Sequence, residues 1–147
     1  MSGSPGGVEF EVMGWPPKRN EAKSLFAAGH VHADGARALL EAARDAIQRD
    51  RWSPATGEVA LELTIRCPGR PDGDATNFLG GVADVLQTTV PPNVDVTHLN
   101  DLASIGLYLD DRQISRISYR ELPAAEVSYR VRVSALRQQD VPERSLA

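Results

Sequence analysis

The sequence predicts an α+β fold in which one mixed β-sheet is covered by two helices. Apolar and polar residues alternate over three segments, which is the spacing of half-buried strands, and a fourth strand is predicted near residues 113–121. Two other segments carry apolar residues every three or four positions, which is the spacing of one helix face. The predicted order is β-α-β-α-β-β, and it favours helices packed on a single face of the sheet.

The first half of the chain supplies a strand, a helix and a second strand. Residues 8–13 alternate, and Pro16 and Pro17 stop this strand because proline lacks a backbone donor. A helix follows from Asp34, a residue type that caps helix starts, and it carries one apolar stripe. Residues 59–65 then alternate strictly, which makes them the clearest strand in the sequence.

The second half supplies the other helix and the last two strands. An amphipathic helix is predicted around residues 78–86. Residues 87–104 contain two adjacent prolines and few periodic positions, so we expect an irregular insertion there. Strands follow near residues 113–121 and 127–135.

The length of the chain predicts a single domain. With 147 residues the chain is long enough to bury one hydrophobic core without disulfides or metals. We place the domain at residues 8–137. Residues 1–7 are rich in serine, glycine and proline, residues 138–147 are mostly polar, and we expect both to be flexible.

Composition and charge exclude several classes of protein. Cys67 is the single cysteine, so an intramolecular disulfide and a cysteine-based zinc site are excluded. The formal net charge of −4 argues against nucleic-acid binding by bulk electrostatics alone. No segment reaches the roughly 18 apolar residues of a membrane span, and the N-terminus lacks the pattern of a signal peptide. We therefore expect a cytoplasmic protein without membrane contact.

Arginine is the dominant cation of this sequence, and several arginines fall on predicted strands. Arg130 and Arg132 share one face of the last strand, and with Arg116 and Arg120 they would form a basic surface for a phosphate backbone. A solvated sheet face explains the same pattern. Both interpretations stay open at this stage.

Two acidic clusters stand at the ends of predicted elements. Asp72 and Asp74 precede the second helix, and Asp110 and Asp111 precede a strand. Mg²⁺ usually takes one or two such carboxylates and completes its shell with water and substrate phosphate. Turn and capping chemistry explains the same residues, because Asp-Gly favours turns and aspartate caps helix starts. The spacing alone leaves both interpretations open.

Several short motifs follow one another along the chain. Trp15-Pro-Pro17 and Asn20 follow the first strand, and His30-Val-His32-Ala precedes the first helix. The second helix region has the sequence Asp74-Ala-Thr-Asn-Phe-Leu-Gly-Gly-Val-Ala-Asp-Val-Leu86. Leu109-Asp-Asp-Arg-Gln-Ile114 and Tyr129-Arg-Val-Arg-Val133 complete the series. In this order the motifs resemble those of the RusA family of Holliday-junction resolvases, which are small Mg²⁺-dependent endonucleases. The resemblance covers about residues 8–135, apart from the insertion at 87–104.

The resemblance implies particular roles for the acidic clusters. The family's first catalytic aspartate falls on Asp74, and its last metal-binding aspartate falls on Asp111. The resemblance therefore implies that Asp74 and Asp111 are Mg²⁺ ligands. Asp72 and Asp110, which lie beside them, are expected to be auxiliary catalytic carboxylates.

The chain departs from the family at two positions. The family's second aspartate falls on Thr76 and its catalytic lysine on Gly80, whereas its asparagine is kept as Asn77. We expect Asn77 to position the substrate, and Arg70 or Lys18 to replace the missing cation from another loop.

Two functions follow from this resemblance. The first is a Mg²⁺-dependent, structure-selective endonuclease that acts on branched DNA such as Holliday junctions and works as a homodimer. The second is a catalytically inactive RusA-fold module for binding or interaction, which Thr76 and Gly80 favour.

Overall fold

The computed structural model describes residues 6–18, 33–71, 73–88 and 105–136. Strands and helices follow one another in the predicted order along these residues. The elements are β1 (Gly7–Met13), α1 (Ala33–Asp50), β2 (Val59–Cys67), α2 (Ala75–Val85), β3 (Ile114–Pro123) and β4 (Ser128–Ala135). A 3₁₀ turn at Asp111–Gln113 leads into β3. The α+β class and the order β-α-β-α-β-β are therefore confirmed.

The four strands form one mixed sheet in the order β1-β4-β2-β3. β4 lies between β1 and β2 and is antiparallel to both, whereas β2 and β3 are parallel. The connection from β2 to β3 contains α2, as parallel neighbours require, because a parallel pair cannot be joined by a tight turn. β3 therefore lies at one edge of the described sheet.

The hydrophobic core lies between one face of the sheet and the two helices. Alternate residues of β1, β2 and β4 are buried, which confirms the alternation read from the sequence. α1 packs mainly on β1 and also contacts α2. The apolar stripe of α1 is buried here, including Leu39, Leu40 and Ala43. No helix in the described residues is long and apolar enough to cross a membrane.

Several sequence predictions fall outside the described residues. They include residues 1–5 and 138–147 of the expected flexible ends, Asn20, the two histidines His30 and His32, Asp72, and most of the expected insertion at 87–104. Gly7, which was also expected to be flexible, is paired with Ser134 as the first residue of β1. Of that insertion, Gln87 and Thr88 are described, and Gln87 forms an isolated bridge with Tyr108. This bridge ties the residues that follow α2 to the segment that precedes the 3₁₀ turn.

Candidate active site

Asp74 is the residue on which helix α2 begins. Its backbone is extended, and its Oδ1 atom accepts hydrogen bonds from the Asn77 backbone N–H at 2.9 Å and the Thr76 hydroxyl at 3.0 Å. These bonds lower the pKa of the Asp74 carboxyl, the Asn77 N–H contributing most. Asp74 is therefore ionised at neutral pH. The hydrogen bond from the Asn77 N–H confirms that Asp74 is the N-cap of α2.

Lys18 lies beside Asp74 although 56 positions separate them in sequence. Its ammonium group lies 5.9 Å from the centre of the Phe78 ring. A β-carbon added to Gly73 would lie 3.2 Å from the Lys18 Cδ and Cε atoms, so the lysine stem crosses the turn that precedes Asp74. The positive charge of Lys18 also helps to lower the pKa of Asp74.

The backbone around Pro17 is docked on α2, and this contact places Lys18. A β-carbon at Gly81 would come within 2.6 Å of the Pro17 carbonyl carbon and 2.9 Å of the Lys18 carbonyl carbon. Only glycine leaves room for this approach. Trp15 adds a stacked contact with Phe78, with ring centres 6.0 Å apart.

The second acidic cluster sits in a hydrogen-bonded turn. Asp110 caps the 3₁₀ turn through its Oδ1 atom, which accepts the Arg112 N–H at 2.8 Å. Gln113 Oε1 accepts the N–H groups of Leu109 and Asp110, both at 2.8 Å. The Arg112 N–H and the Arg112 side chain both donate to the Asp110 carboxylate and lower its pKa, the N–H contributing most. Asp110 is therefore a capping residue in this turn.

Asp111 lies near the C-terminal end of α2. Its backbone N–H donates to Gln87 Oε1 at 2.9 Å, and Gln87 follows the last turn of the helix. The buried Tyr108 hydroxyl donates to the Ala83 carbonyl at 2.8 Å in the same region. Burial raises the pKa of Tyr108 well above its ordinary value, and the charges of Asp111 and Asp84 raise it further.

Asp84 is the acidic residue that the sequence prediction left without a role. It belongs to the Asp-Val-Leu sequence at the end of α2, which is the sequence feature that could have identified it as a candidate. The structure groups Asp84 with Asp111 around Tyr108, whereas it groups Asp74 with Lys18. The 11 residues of α2 span about 16 Å between these two groups. Joint binding of one ion by Asp74 and Asp111 stays a prediction.

Arg70 and Asn77, two further predicted site residues, are both exposed. Arg70 is exposed and forms no hydrogen bond or ion pair within the described part of the chain. Asn77 is exposed in the first turn of α2, beside Asp74. Among described residues, no three His, Cys, Asp or Glu side chains come together as a metal-binding group.

The donor chemistry at Asp74 nevertheless fits Mg²⁺. The ion binds proteins through as few as one or two carboxylates, with water and phosphate as the other ligands. Asp74 is ionised, and the hydrogen bonds that it accepts from described residues both go to Oδ1. Its Oδ2 atom accepts no hydrogen bond from a described residue, and it is the oxygen that would bind a cation.

Comparison with known proteins adds no family assignment. No protein-family model matches the chain, and no curated protein matches it.

Proposed function

We propose that this protein is a Mg²⁺-dependent endonuclease that cleaves branched DNA, with its reactive groups at the start of α2. The observation that carries the proposal is the proximity of Lys18 to Asp74. The resembled resolvases supply a catalytic lysine from the helix, at the position where this chain has Gly80. Lys18 would supply the same charge from the loop after β1.

The residues at this end of α2 suit phosphodiester hydrolysis. Asp74 would hold the ion, with water and phosphate oxygens as the other ligands. Asp111, which the resemblance implies as a second ligand, lies near the opposite end of α2, so a shared ion would need the two ends to come closer. When bound, Mg²⁺ supplies an activated water and neutralises charge on phosphate oxygens. The Lys18 ammonium would stabilise the negative charge that develops on the phosphate. The exposed Asn77 carboxamide would orient the same phosphate by hydrogen bonding.

The proposal includes a homodimer. A two-fold dimer presents two equivalent sites, and a four-way junction offers two symmetry-related strands. Paired incisions at symmetric positions of a junction, together with a dimeric mass in sedimentation equilibrium, would support this part. A monomeric mass at the concentrations that cleave DNA would contradict it.

The test is a cleavage assay of the full chain on junction, flap and duplex DNA with Mg²⁺ or Mn²⁺. We expect junction cleavage that Asp74→Asn abolishes. We expect Lys18→Met to lower kcat by about 10²-fold to 10³-fold, the usual effect of removing one group that stabilises transition-state charge. Lys18→Arg should restore part of the rate. Arg44→Gln on α1 is the matched control and should leave the rate unchanged.

Two outcomes would overturn the proposal. One is the absence of cleavage on every substrate at protein concentrations that saturate DNA binding. The other is cleavage that persists unchanged in Asp74→Asn, because the activity would then come from other residues or from a contaminant.

A second candidate is a DNA-binding or interaction module without catalysis. Thr76 favours it, because its hydroxyl donates to Asp74 and thus serves helix capping where the family has an aspartate. Calorimetric titration with Mg²⁺ separates the two functions. Binding heat that disappears in Asp74→Asn supports the nuclease, whereas junction binding without any Mg²⁺ heat supports the module.

A further inference from the structure

The sheet face opposite the helices displays a set of arginines. Cross-strand register puts five on this face, namely Arg66, Arg116, Arg120, Arg130 and Arg132. Glu9, Glu11 and Glu62 share it. The face is therefore cationic, although the whole chain has a formal net charge of −4. The predicted grouping of the β3 and β4 arginines is borne out, and Arg66 is an addition.

The charges divide this face into two halves. On the β1–β4 side, Glu9 lies 3.5 Å from both Arg130 and Arg132. Glu62 belongs to β2, and it lies 3.6 Å from Arg132 across the boundary between the two halves. On the β2–β3 side, Arg66, Arg116 and Arg120 form no ion pair within the described residues. The arginines of this face that form no ion pair with a described residue therefore lie along β2 and β3.

The geometry points to this β2–β3 half as a surface that binds the phosphate backbone of duplex DNA. Arg116 and Arg120 are four residues apart on one strand, which is about 13 Å. Phosphates recur every 3.4 Å of axis along each DNA strand, so arginines about 13 Å apart can each reach a different phosphate of the same duplex. Arg66 lies on the neighbouring strand, about 5 Å to the side, and extends the row. Arginine forks bind phosphate through two hydrogen bonds.

The chemistry of the face favours a duplex over single strands. Proteins that bind single-stranded DNA or RNA stack the bases on aromatic side chains. In the described strands all aromatic side chains lie on the helix-covered face, namely Phe10, Tyr119 and Tyr129. Backbone contact without stacking is what a duplex surface requires.

This inference goes beyond the proposed nuclease, because it assigns binding to the face opposite α1 and α2. It holds equally for a protein that does not cleave DNA. The test therefore uses EDTA, which removes divalent ions and any cleavage. The measurement is the fluorescence anisotropy of a labelled DNA duplex of about two helical turns, titrated at 50 and 200 mM salt.

With three phosphate contacts, we expect wild-type binding to weaken by about 40-fold when the salt concentration rises from 50 to 200 mM. Each contact contributes about 0.9 to the slope of the logarithm of the binding constant against the logarithm of the salt concentration. The triple variant R66Q/R116Q/R120Q should bind at least about tenfold more weakly at 50 mM and lose most of this salt dependence. The matched control is R37Q/R44Q/R51Q, which removes the same charge from α1 and its end. This control should keep the wild-type salt slope.

A variant that is expected to bind DNA more tightly is also needed, because a loss of binding alone could come from a failure to fold. Glu9→Gln should tighten duplex binding, because it removes the ion pair of Arg130 and leaves Arg132 paired with Glu62 alone. Equal losses in the two triple variants would overturn the proposal, since bulk charge would then explain the binding. It would also be overturned by undetectable duplex binding at 50 mM salt. Binding of anionic lipid vesicles in place of DNA would have the same consequence.

Discussion

Gly81 of α2 lies directly against the backbone carbonyl of Pro17. A β-carbon at position 81 would overlap the Pro17 carbonyl oxygen. The contact joins the loop after β1 to the middle of α2, and it brings Lys18 to the turn that contains Gly73 and Asp74. A glycine that costs the helix stability therefore supports the arrangement of the candidate site.

Gly81→Ala should destabilise the protein and separate Lys18 from Asp74. Alanine is favoured over glycine in helices by about 1 kcal/mol, but overpacking against a backbone group costs about 1–3 kcal/mol. We expect a net loss of stability in urea unfolding. If the protein cleaves DNA, we also expect a lower kcat. Gly57→Ala is the control, because a β-carbon there has nothing within 4 Å. A Gly81→Ala protein more stable than wild type would contradict the contact.

Local patterns predicted the elements of this fold, whereas tertiary contacts decided the site. Alternation identified β2 because strand side chains have a period of two. The position of Lys18 follows from the close contact between the Pro17 backbone and Gly81. No sequence pattern around Lys18 or Gly81 predicts that contact. Asp84 was likewise missed, because its proximity to Tyr108 depends on how the chain returns after α2.

Gln113→Ala should loosen the turn that carries Asp110. The Gln113 carboxamide accepts two backbone N–H groups and donates to the carbonyls of Ala55 and Gly57 at 2.8 and 2.7 Å. Four hydrogen bonds at a partly exposed site suggest a loss of about 2 kcal/mol in unfolding free energy. Gln48→Ala, at an exposed position of α1, should change it by less than about 0.5 kcal/mol. Similar values for both variants would contradict the bracing role of Gln113.

The tyrosines should make the protein sensitive to alkaline pH. Burial raises the pKa of Tyr108, Tyr119 and Tyr129 above the ordinary value, and the Tyr119 hydroxyl also donates to Glu121. In the unfolded chain these groups ionise near pH 10. Their contribution to stability is therefore complete below about pH 10 and is lost as pH rises further. Tyrosinate absorbance should appear together with unfolding. A full tyrosinate signal near pH 10 from a folded protein would contradict this.

Asp74 can be separated into a capping role and a charge role by two substitutions. Asparagine also caps helices well, so Asp74→Asn should keep most of the stability that Asp74→Ala loses. The hydrogen bonds from Asn77 and Thr76 lower the pKa of Asp74 in the folded state. The stability due to its charge is therefore present above the ordinary aspartate pKa of about 3.9 and is lost as pH falls through the folded value.

The expected result is a pH-dependent difference in urea midpoints. At neutral pH wild type should be more stable than Asp74→Asn, and the two should converge as the pH falls below about 3.9. Asp74→Ala should be the least stable of the three at neutral pH. A constant gap between wild type and Asp74→Asn from neutral to acid pH would show that the charge is not stabilised by the α2 N-terminus. Because Asp74→Asn is expected to retain the cap, any Mg²⁺ binding or cleavage that it abolishes can be attributed to the lost charge.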